Sequence, residues 1–399
     1  MKIFEIGTGY TPIPAQMGAA TEIVVEELTR AFLQRGESVQ IIDIAAEDRS
    51  STALPILEVP VPRCFRGTDI KLGVMHKLKR VVYSICLARV LQKILKQTEE
   101  KVVLHFHNQY NLFFFLKLTS EKLRRKAVIA YTNHSGIWSK NWTEISAIIK
   151  KRYFQEAECM RRADIVFLLN EKTRKNVIEH IGVSEDRIAL INNGVNTAVY
   201  YPIPNQEKQT IKESHGFRDC HVILQVGSVN ENKGQMRILQ WLLPVLNRNP
   251  NVVYACAGGI VDQGYFAKIQ QFLQDQHLQA QVRYLGMIAP GEKLNDIYNC
   301  ADVTIVSSGF ESFSLVALES MAAGVPVVLD SSIIPWVKEG VIPLNYENTT
   351  ELEAFLFGDT TNRENLCRLA RRFATCNFSW SSISSDYLSE FQNGMRNND

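Results

Sequence analysis

The sequence predicts two α/β domains, residues 1–203 and 204–376, each a parallel sheet doubly wound with helices, followed by a closing helix in 377–399. Three observations carry this. Short apolar runs rich in Val and Ile alternate with stretches whose apolar residues recur at helical spacing. Glycine-bearing turns follow several of the apolar runs, where open α/β sheets hold their ligands. Pro202 and Pro204 open a polar break, after which the strand–helix rhythm restarts near Cys220. Two such domains facing each other would leave a central cleft lined by the turns.

Taken in order, residues 3–6 form a strand and Gly7-Thr-Gly9-Tyr-Thr-Pro12 a loop. A helix follows Gly18, with apolar Ile23, Val24, Leu28 and Leu33, and Gly36 stops it. Residues 39–44 are a second strand. Pro12 stands where a dinucleotide fingerprint needs its third glycine, so a dinucleotide site is not expected. Gly18 is the better place for a ligand phosphate to approach the backbone, or else a tight turn. Residues 50–75, with Pro55, Pro60 and Pro62, read as irregular. The stretch 71–101 is helical and carries Lys77, Lys79, Arg80, Arg89, Lys93 and Lys96 among apolar residues. It reads first as an ordinary domain helix with a solvated basic face; a helix lying on an anionic membrane is the alternative.

Strand 102–107 places His105 and His107 on one side, too few ligands for a metal site by themselves. Strand 127–132 runs into Asn133-His134-Ser135-Gly136, so His134 sits at a carboxyl end, as a ligand contact or a turn residue. Helix 153–163, strand 164–169 and helix 172–180 follow. Residues 188–201 read as a strand ending in Asn192-Asn193-Gly194, with 192–204 a hinge candidate. In the second half the strands are 221–226, 252–257, 282–285 and 303–306, and the helices 236–246, 266–276 and 293–298. Lys233 lies in the glycine-flanked loop after strand 221–226, where an ammonium suits a pyrophosphate or is simply solvated.

The richest segment is 307–328. It reads as a polar loop holding Glu311, a buried helix holding Glu319, a stop at Gly324 and Pro326, and a strand. A carboxylate inside a packed helix needs hydrogen-bond donors, and sugar or ribose hydroxyls would serve. The backbone N–H groups of Phe313, Ser314, Leu315 and Val316 would lie at the helix N-terminus and suit a phosphate. A surface or capping acid at 311 and a paired structural acid at 319 explain the same spacing.

Composition bounds the rest. Of 399 residues, 46% are hydrophobic and 22% charged, as in globular proteins with sizeable cores. Residues 1–200 hold 29 Lys and Arg against 21 Asp and Glu (+8), and the remainder 15 against 21 (−6). The basic half favours phosphates or an anionic membrane surface; nucleic acid is not an expected partner. Eight scattered cysteines without a C-x-x-C pair suggest reduced thiols in a cytoplasmic protein. No secretory pattern opens the sequence, and no run reaches the ~18 apolar residues of a membrane span.

These motifs, in this order, resemble the retaining glycosyltransferases of family 4 over nearly the whole chain. FESFSLVALESMAAGVPVV resembles the family's E-x7-E signature, VGSVNENKG its phosphate-binding loop, and INNGVNTAVYYP the end of its N-terminal domain. GAATEIVVEELTRAFLQRG resembles its glycine loop and first helix, and FSW the approach to its last helix. The resemblance implies the GT-B fold and transfer of a sugar from a nucleoside diphosphate donor, with retention and without a metal. It implies that Lys233 binds the diphosphate and Glu319 the ribose. Glu311 and the backbone of Phe313–Val316 would meet the transferred sugar, and His134 the reacting centre. Gly18 would approach diphosphate or acceptor, and Gly258, Met287 and Ile288 would lie near the base. Ser228 stands where the family usually has Arg, which shifts charge compensation elsewhere, with Arg237 a candidate; Asn196 replaces the usual Asp. The expected acceptor is a glycan or lipid-linked hydroxyl at the inner membrane face. A small soluble acceptor, or a sugar-nucleotide-binding protein without catalysis, is the competing expectation.

Overall fold

The computed structural model describes residues 1–15, 19–66 and 74–397. The chain divides into two compact units, Met1–Asn193 together with Trp380–Asp399, and Gly194–Ser379. Gly18 lies outside the described residues.

The first unit holds β1 (Lys2–Ile6), β2 (Ser38–Ile44), β3 (Ile56–Val59), β4 (Val102–Phe106), β5 (Ala127–Thr132), β6 (Ile165–Leu168) and β7 (Ile188–Leu190). They form one parallel sheet in the order β3-β2-β1-β4-β5-β6-β7. The second holds β8 (His221–Val226), β9 (Val252–Ala257), β10 (Val282–Tyr284), β11 (Val303–Val306), β12 (Val327–Leu329) and β13 (Val341–Pro343). Their order is β10-β9-β8-β11-β12-β13, again parallel. Central strands are largely buried on both faces, as in parallel sheets covered by helices. In each sheet the order reverses beside the first strand, between β1 and β4 and between β8 and β11. Loops leave that point in opposite directions and open a crevice at the carboxyl ends.

Helix ends follow local chemistry. The Ala20–Gln34 helix closes when the Gly36 N–H donates to Leu33 at 2.9 Å and the Glu37 N–H to Phe32 at 3.0 Å, with Gly36 at φ 78°. The Val74–Gln97 helix buries Tyr83, Leu87, Leu91 and Leu95, which recur every fourth residue. Each such side chain contributes about 1.5–3 kcal/mol on burial. Arg89, Lys93 and Lys96 are exposed, as the ordinary-helix reading expects. Lys79 instead turns inward and donates to the Tyr10 carbonyl at 3.2 Å.

Three expectations are corrected. Residues 50–75 are not all irregular: β3 pairs parallel to β2 at the sheet edge. Pro55 and Pro60 flank it, which an edge strand tolerates. Of residues 188–201, only Ile188–Leu190 is strand. The helix expected at 172–180 is α-helical over Glu171–Asn176 and widens into a π-type turn, Val177–Ile181, before Gly182 at φ 79°.

The closing helix, Trp380–Asn397, packs on the first unit. Gly394 permits the approach, since a Cβ there would lie 2.8 Å from Ile165 Cδ1 on β6. Phe391 meets Phe32 and Phe167 with ring centres 6.1 and 5.7 Å apart.

Candidate active site

In the second unit the loops after β8 and β11 are tied together. Gly309 N–H donates to the Asn232 carbonyl at 2.8 Å, and Gln225 Nε2 and Ser307 Oγ both donate to the Lys233 carbonyl at 2.7 Å. The Asn230 side chain caps the turn by accepting from Lys233 N at 3.2 Å. This frame brings Lys233 Nζ within 2.5 Å of Glu311 Oε1, which also accepts from Ser308 Oγ at 2.6 Å. The side chains keep 26% and 14% of their surface exposed, so the pair remains open to solvent. Two residues that sequence reasoning chose separately are therefore one ion pair at the switch point.

The backbone after Glu311 is fixed by aromatic packing. The Phe313 ring stacks on Trp336 at 4.4 Å, and Trp336 Nε1 donates to the Phe313 carbonyl at 2.5 Å. Ser314 caps the Leu315–Ala322 helix at φ 78°, a region that a residue with a side chain rarely occupies. Leu315 and Val316 open the helix and stay half-buried. Glu319, one turn in, is buried and accepts from the Tyr298 hydroxyl at 2.9 Å. Burial pushes its carboxyl up to about 7, and hydrogen bonds from Tyr298 and Tyr200 offset only part of that cost. The donors that its burial demanded are thus tyrosine hydroxyls.

The remaining residues of this unit gather where β8, β9 and β10 end. Gly258 takes φ 150°, and a Cβ on it would lie 2.1 Å from the Gly227 carbonyl oxygen. The Ser228 hydroxyl accepts from Asn230 Nδ2 at 2.8 Å. Met287 is half exposed, its Cε 2.8 Å from where a Gly259 Cβ would stand; Ile288 follows it, partly buried. Arg237 bonds the Ser307 carbonyl and lies over the Tyr346 ring at 4.8 Å.

His134 belongs to the first unit. It follows β5 and its Nε2 lies 3.0 Å from His107 Nδ1. His107 Nε2 meets Glu5 Oε2 at 2.7 Å, Glu5 Oε1 meets His105 Nδ1 at 2.9 Å, and His105 Nε2 meets Thr132 Oγ1 at 2.7 Å. Parallel pairing sets Glu5 opposite His105, and the two-residue period keeps His107 on the same face. Tyr387 and Phe391 of the closing helix cover His105, each with ring centres 5.4 Å away. Burial would raise the Glu5 carboxyl, but the charge of His105 and hydrogen bonds from both histidines hold it down at about 2. Burial and then His105 lower His107 to about 4, and burial and then His107 hold His134 well below the usual imidazole range. Ligand atoms of Glu5, His105 and His107 lie within 4.8 Å of one another.

Sequence reasoning missed Glu5 because it stands in an apolar strand, one hundred residues from its partner. The His-x-His pair on a neighbouring strand was the available signal. It also missed Glu22, which accepts from Thr8 and which burial pushes up to about 7.

Comparisons with known proteins agree with this architecture. Residues 21–199 match the family described as Glycosyltransferase Family 4, and residues 207–339 match Glycosyl transferases group 1. Mannosylfructose-phosphate synthase of Agrobacterium fabrum is 27% identical over 216 residues, 50% of this chain and 47% of that protein. The chain thus spans about half the length of such curated relatives. Sucrose-phosphate synthase of Thermosynechococcus elongatus superposes with a TM-score of 0.75 at 18% identity, covering 98% of each chain. HepE of Anabaena, solved with UDP-glucose, superposes with a TM-score of 0.73 at 16% identity, over 98% of this chain and 100% of that one. Two successive stretches of the chain thus match glycosyltransferase family models, and its fold is GT-B.

Proposed function

We propose that this protein is a retaining glycosyltransferase that moves a hexosyl or N-acetylhexosaminyl group from a nucleoside diphosphate sugar, UDP-linked, to an acceptor hydroxyl. The observation that carries the reading is the solvent-open Lys233–Glu311 pair at the switch point of the group 1 domain. An ammonium there stabilises the charge that builds on a leaving diphosphate, and a neighbouring carboxylate accepts from sugar hydroxyls. The N-terminus of the Leu315–Ala322 helix adds backbone donors. Glu319 serves the ribose hydroxyls once they replace its tyrosine partners. We assign the reaction no metal, since Lys233 and the helix end supply the positive charge and the sequence has no Asp-x-Asp. The leaving phosphate takes the acceptor proton. HepE, solved with UDP-glucose, favours uridine as the base.

Two acceptor classes have support. A groove of about 470 Å³ in the first unit is lined by Trp142, Phe113 and Phe154 with Lys117, Lys150 and Arg161, a mixture suited to a glycan or lipid-linked acceptor bearing phosphate. A small phosphorylated sugar is favoured instead by the names of the two synthases. No helix among the described residues is long and apolar enough to cross a membrane, so a lipid-linked acceptor would be met at a membrane surface through the basic first unit.

Release of nucleoside diphosphate from UDP-, GDP- and ADP-sugars, with EDTA present, tests the reaction. UDP release with an α-linked product from an α-linked donor is expected. Release from no donor would leave a binding protein, and inversion would remove the retaining assignment. Vesicles of anionic lipid that retain the protein at low salt and release it at high salt would select the membrane acceptor.

A further inference from the structure

We infer that Glu5 and His107 are positioning residues that fix the proton of His134 on Nε2 and leave its Nδ1 as an acceptor. The ring contacts run as a chain from Glu5 through His107 to His134. An ionised carboxylate can only accept, so His105 carries a proton on Nδ1 and His107 one on Nε2, each aimed at Glu5 at 2.9 and 2.7 Å. His107, buried and neutral, then has no proton on Nδ1. The hydrogen in the 3.0 Å contact between His107 and His134 must therefore come from His134 Nε2. A neutral His134 keeps Nδ1 bare.

The consequence is chemical. A histidine in this state accepts a hydrogen bond from a hydroxyl at Nδ1 and cannot donate one there to a phosphate oxygen. Resting on the glycosyltransferase reading, His134 would accept from a substrate hydroxyl and would not donate to a phosphate. The tautomer itself does not depend on that reading. The same logic of an acid setting the proton of a catalytic imidazole operates in serine-protease triads.

A metal held by Glu5, His105 and His107 is the rival occupant of this cluster, since their ligand atoms lie within 4.8 Å. It would displace the proton from His107 Nε2 to Nδ1. His107 would then donate to His134, whose own proton would move to Nδ1. The two accounts predict opposite tautomers.

Histidine labelled with nitrogen-15, observed in the whole protein by long-range proton correlation, decides between them. The His134 signals are assigned by their loss in His134→Asn. In the wild type, Nε2 should be pyrrole-like and Nδ1 pyridine-like. His107→Leu should leave His134 averaging between tautomers, whereas His107→Asn, which retains an acceptor near the Nδ1 position, should restore the wild-type pattern. Both variants lose the Glu5 contact equally, so loss of stability is shared. Turnover at saturating donor should fall at least ~10-fold in His107→Leu and recover in His107→Asn, the scale on which lost orienting partners act. A proton on His134 Nδ1, stoichiometric zinc in the purified protein, or an unchanged His134 tautomer in His107→Leu would each overturn the inference. Correct tautomers in a protein without transferase activity would sustain the inference and sink the enzyme reading.

Discussion

Glu5 and Glu319 are the same residue type, both buried, each at a carboxyl-end switch region of a parallel sheet, and they respond to burial in opposite ways. Glu5 is held at about 2 and Glu319 is pushed up to about 7. The difference lies in the partners. Two imidazoles donate to Glu5, one on each oxygen, and His105 and then His107 also lower it electrostatically. Glu319 has phenolic hydroxyls, which hydrogen-bond without supplying positive charge. A buried acid whose two oxygens each accept from an imidazole is a fixed anion that organises its surroundings. One with neutral partners is a titrating group near neutral pH, free to be ionised by an arriving ligand. The partly exposed Glu311–Lys233 pair differs from both, since water reaches it.

The sharpest way to break this contrast is Glu5→Leu. It leaves two imidazoles without their buried acceptor and should lower stability by ~3–5 kcal/mol, read from urea denaturation midpoints. A change below ~1 kcal/mol would mean that the network does not hold the carboxyl as described.

Lys233→Ala should act in the other direction, on chemistry and not on stability. Turnover should fall by ~10²–10³, while unfolding free energy changes by less than ~1 kcal/mol, because the ion pair is partly exposed. Wild-type turnover in this variant would remove Lys233 from the mechanism.

Glu319→Gln tests the neutral-partner half of the comparison through pH. Its folded value, about 7, lies above the ordinary 4.5, so the folded state keeps a proton that the unfolded chain has lost. The contribution is fully present below pH 4.5 and is lost as pH rises through 7. The variant should therefore gain stability relative to wild type on going from pH 5 to pH 8, on the order of 1–3 kcal/mol. Glu5 has the opposite sign: its contribution is present above 4.5 and lost as pH falls towards 2, so acid unfolding should be steepest in that window. A Glu319→Gln difference that does not vary with pH would contradict the titration.

Much of the fold was legible because alternating β-branched runs and helical spacings leave few options in a parallel α/β chain. The central strands were found nearly to the residue. Among what escaped were β3 and β13 at the sheet edges, four and three residues long, and the Gln109–Leu118 and Asn205–Ser214 helices, the second lying in the stretch read as a polar break. The polar Thr360–Asn377 helix escaped for want of a strong apolar stripe. At the site, Lys233 and Glu311 were visible because loops carry chemistry openly. Their pairing was not, because it depends on the hydrogen bonds between the β8 and β11 loops. Glu5 was invisible for a different reason. A charge in an apolar strand makes sense only with its cross-strand neighbour and with the cover that Tyr387 and Phe391 bring from the far end of the chain.

The most direct test of the donor site is thermal unfolding of the wild type, Lys233→Ala and Glu319→Ala with UDP, GDP, ADP and their sugars. At ~100 times its dissociation constant the true donor should add about 2.7 kcal/mol of stability. The account predicts such a shift for the uridine series, reduced in Lys233→Ala and lost in Glu319→Ala. No shift with any nucleotide, or one that both variants retain in full, would contradict it.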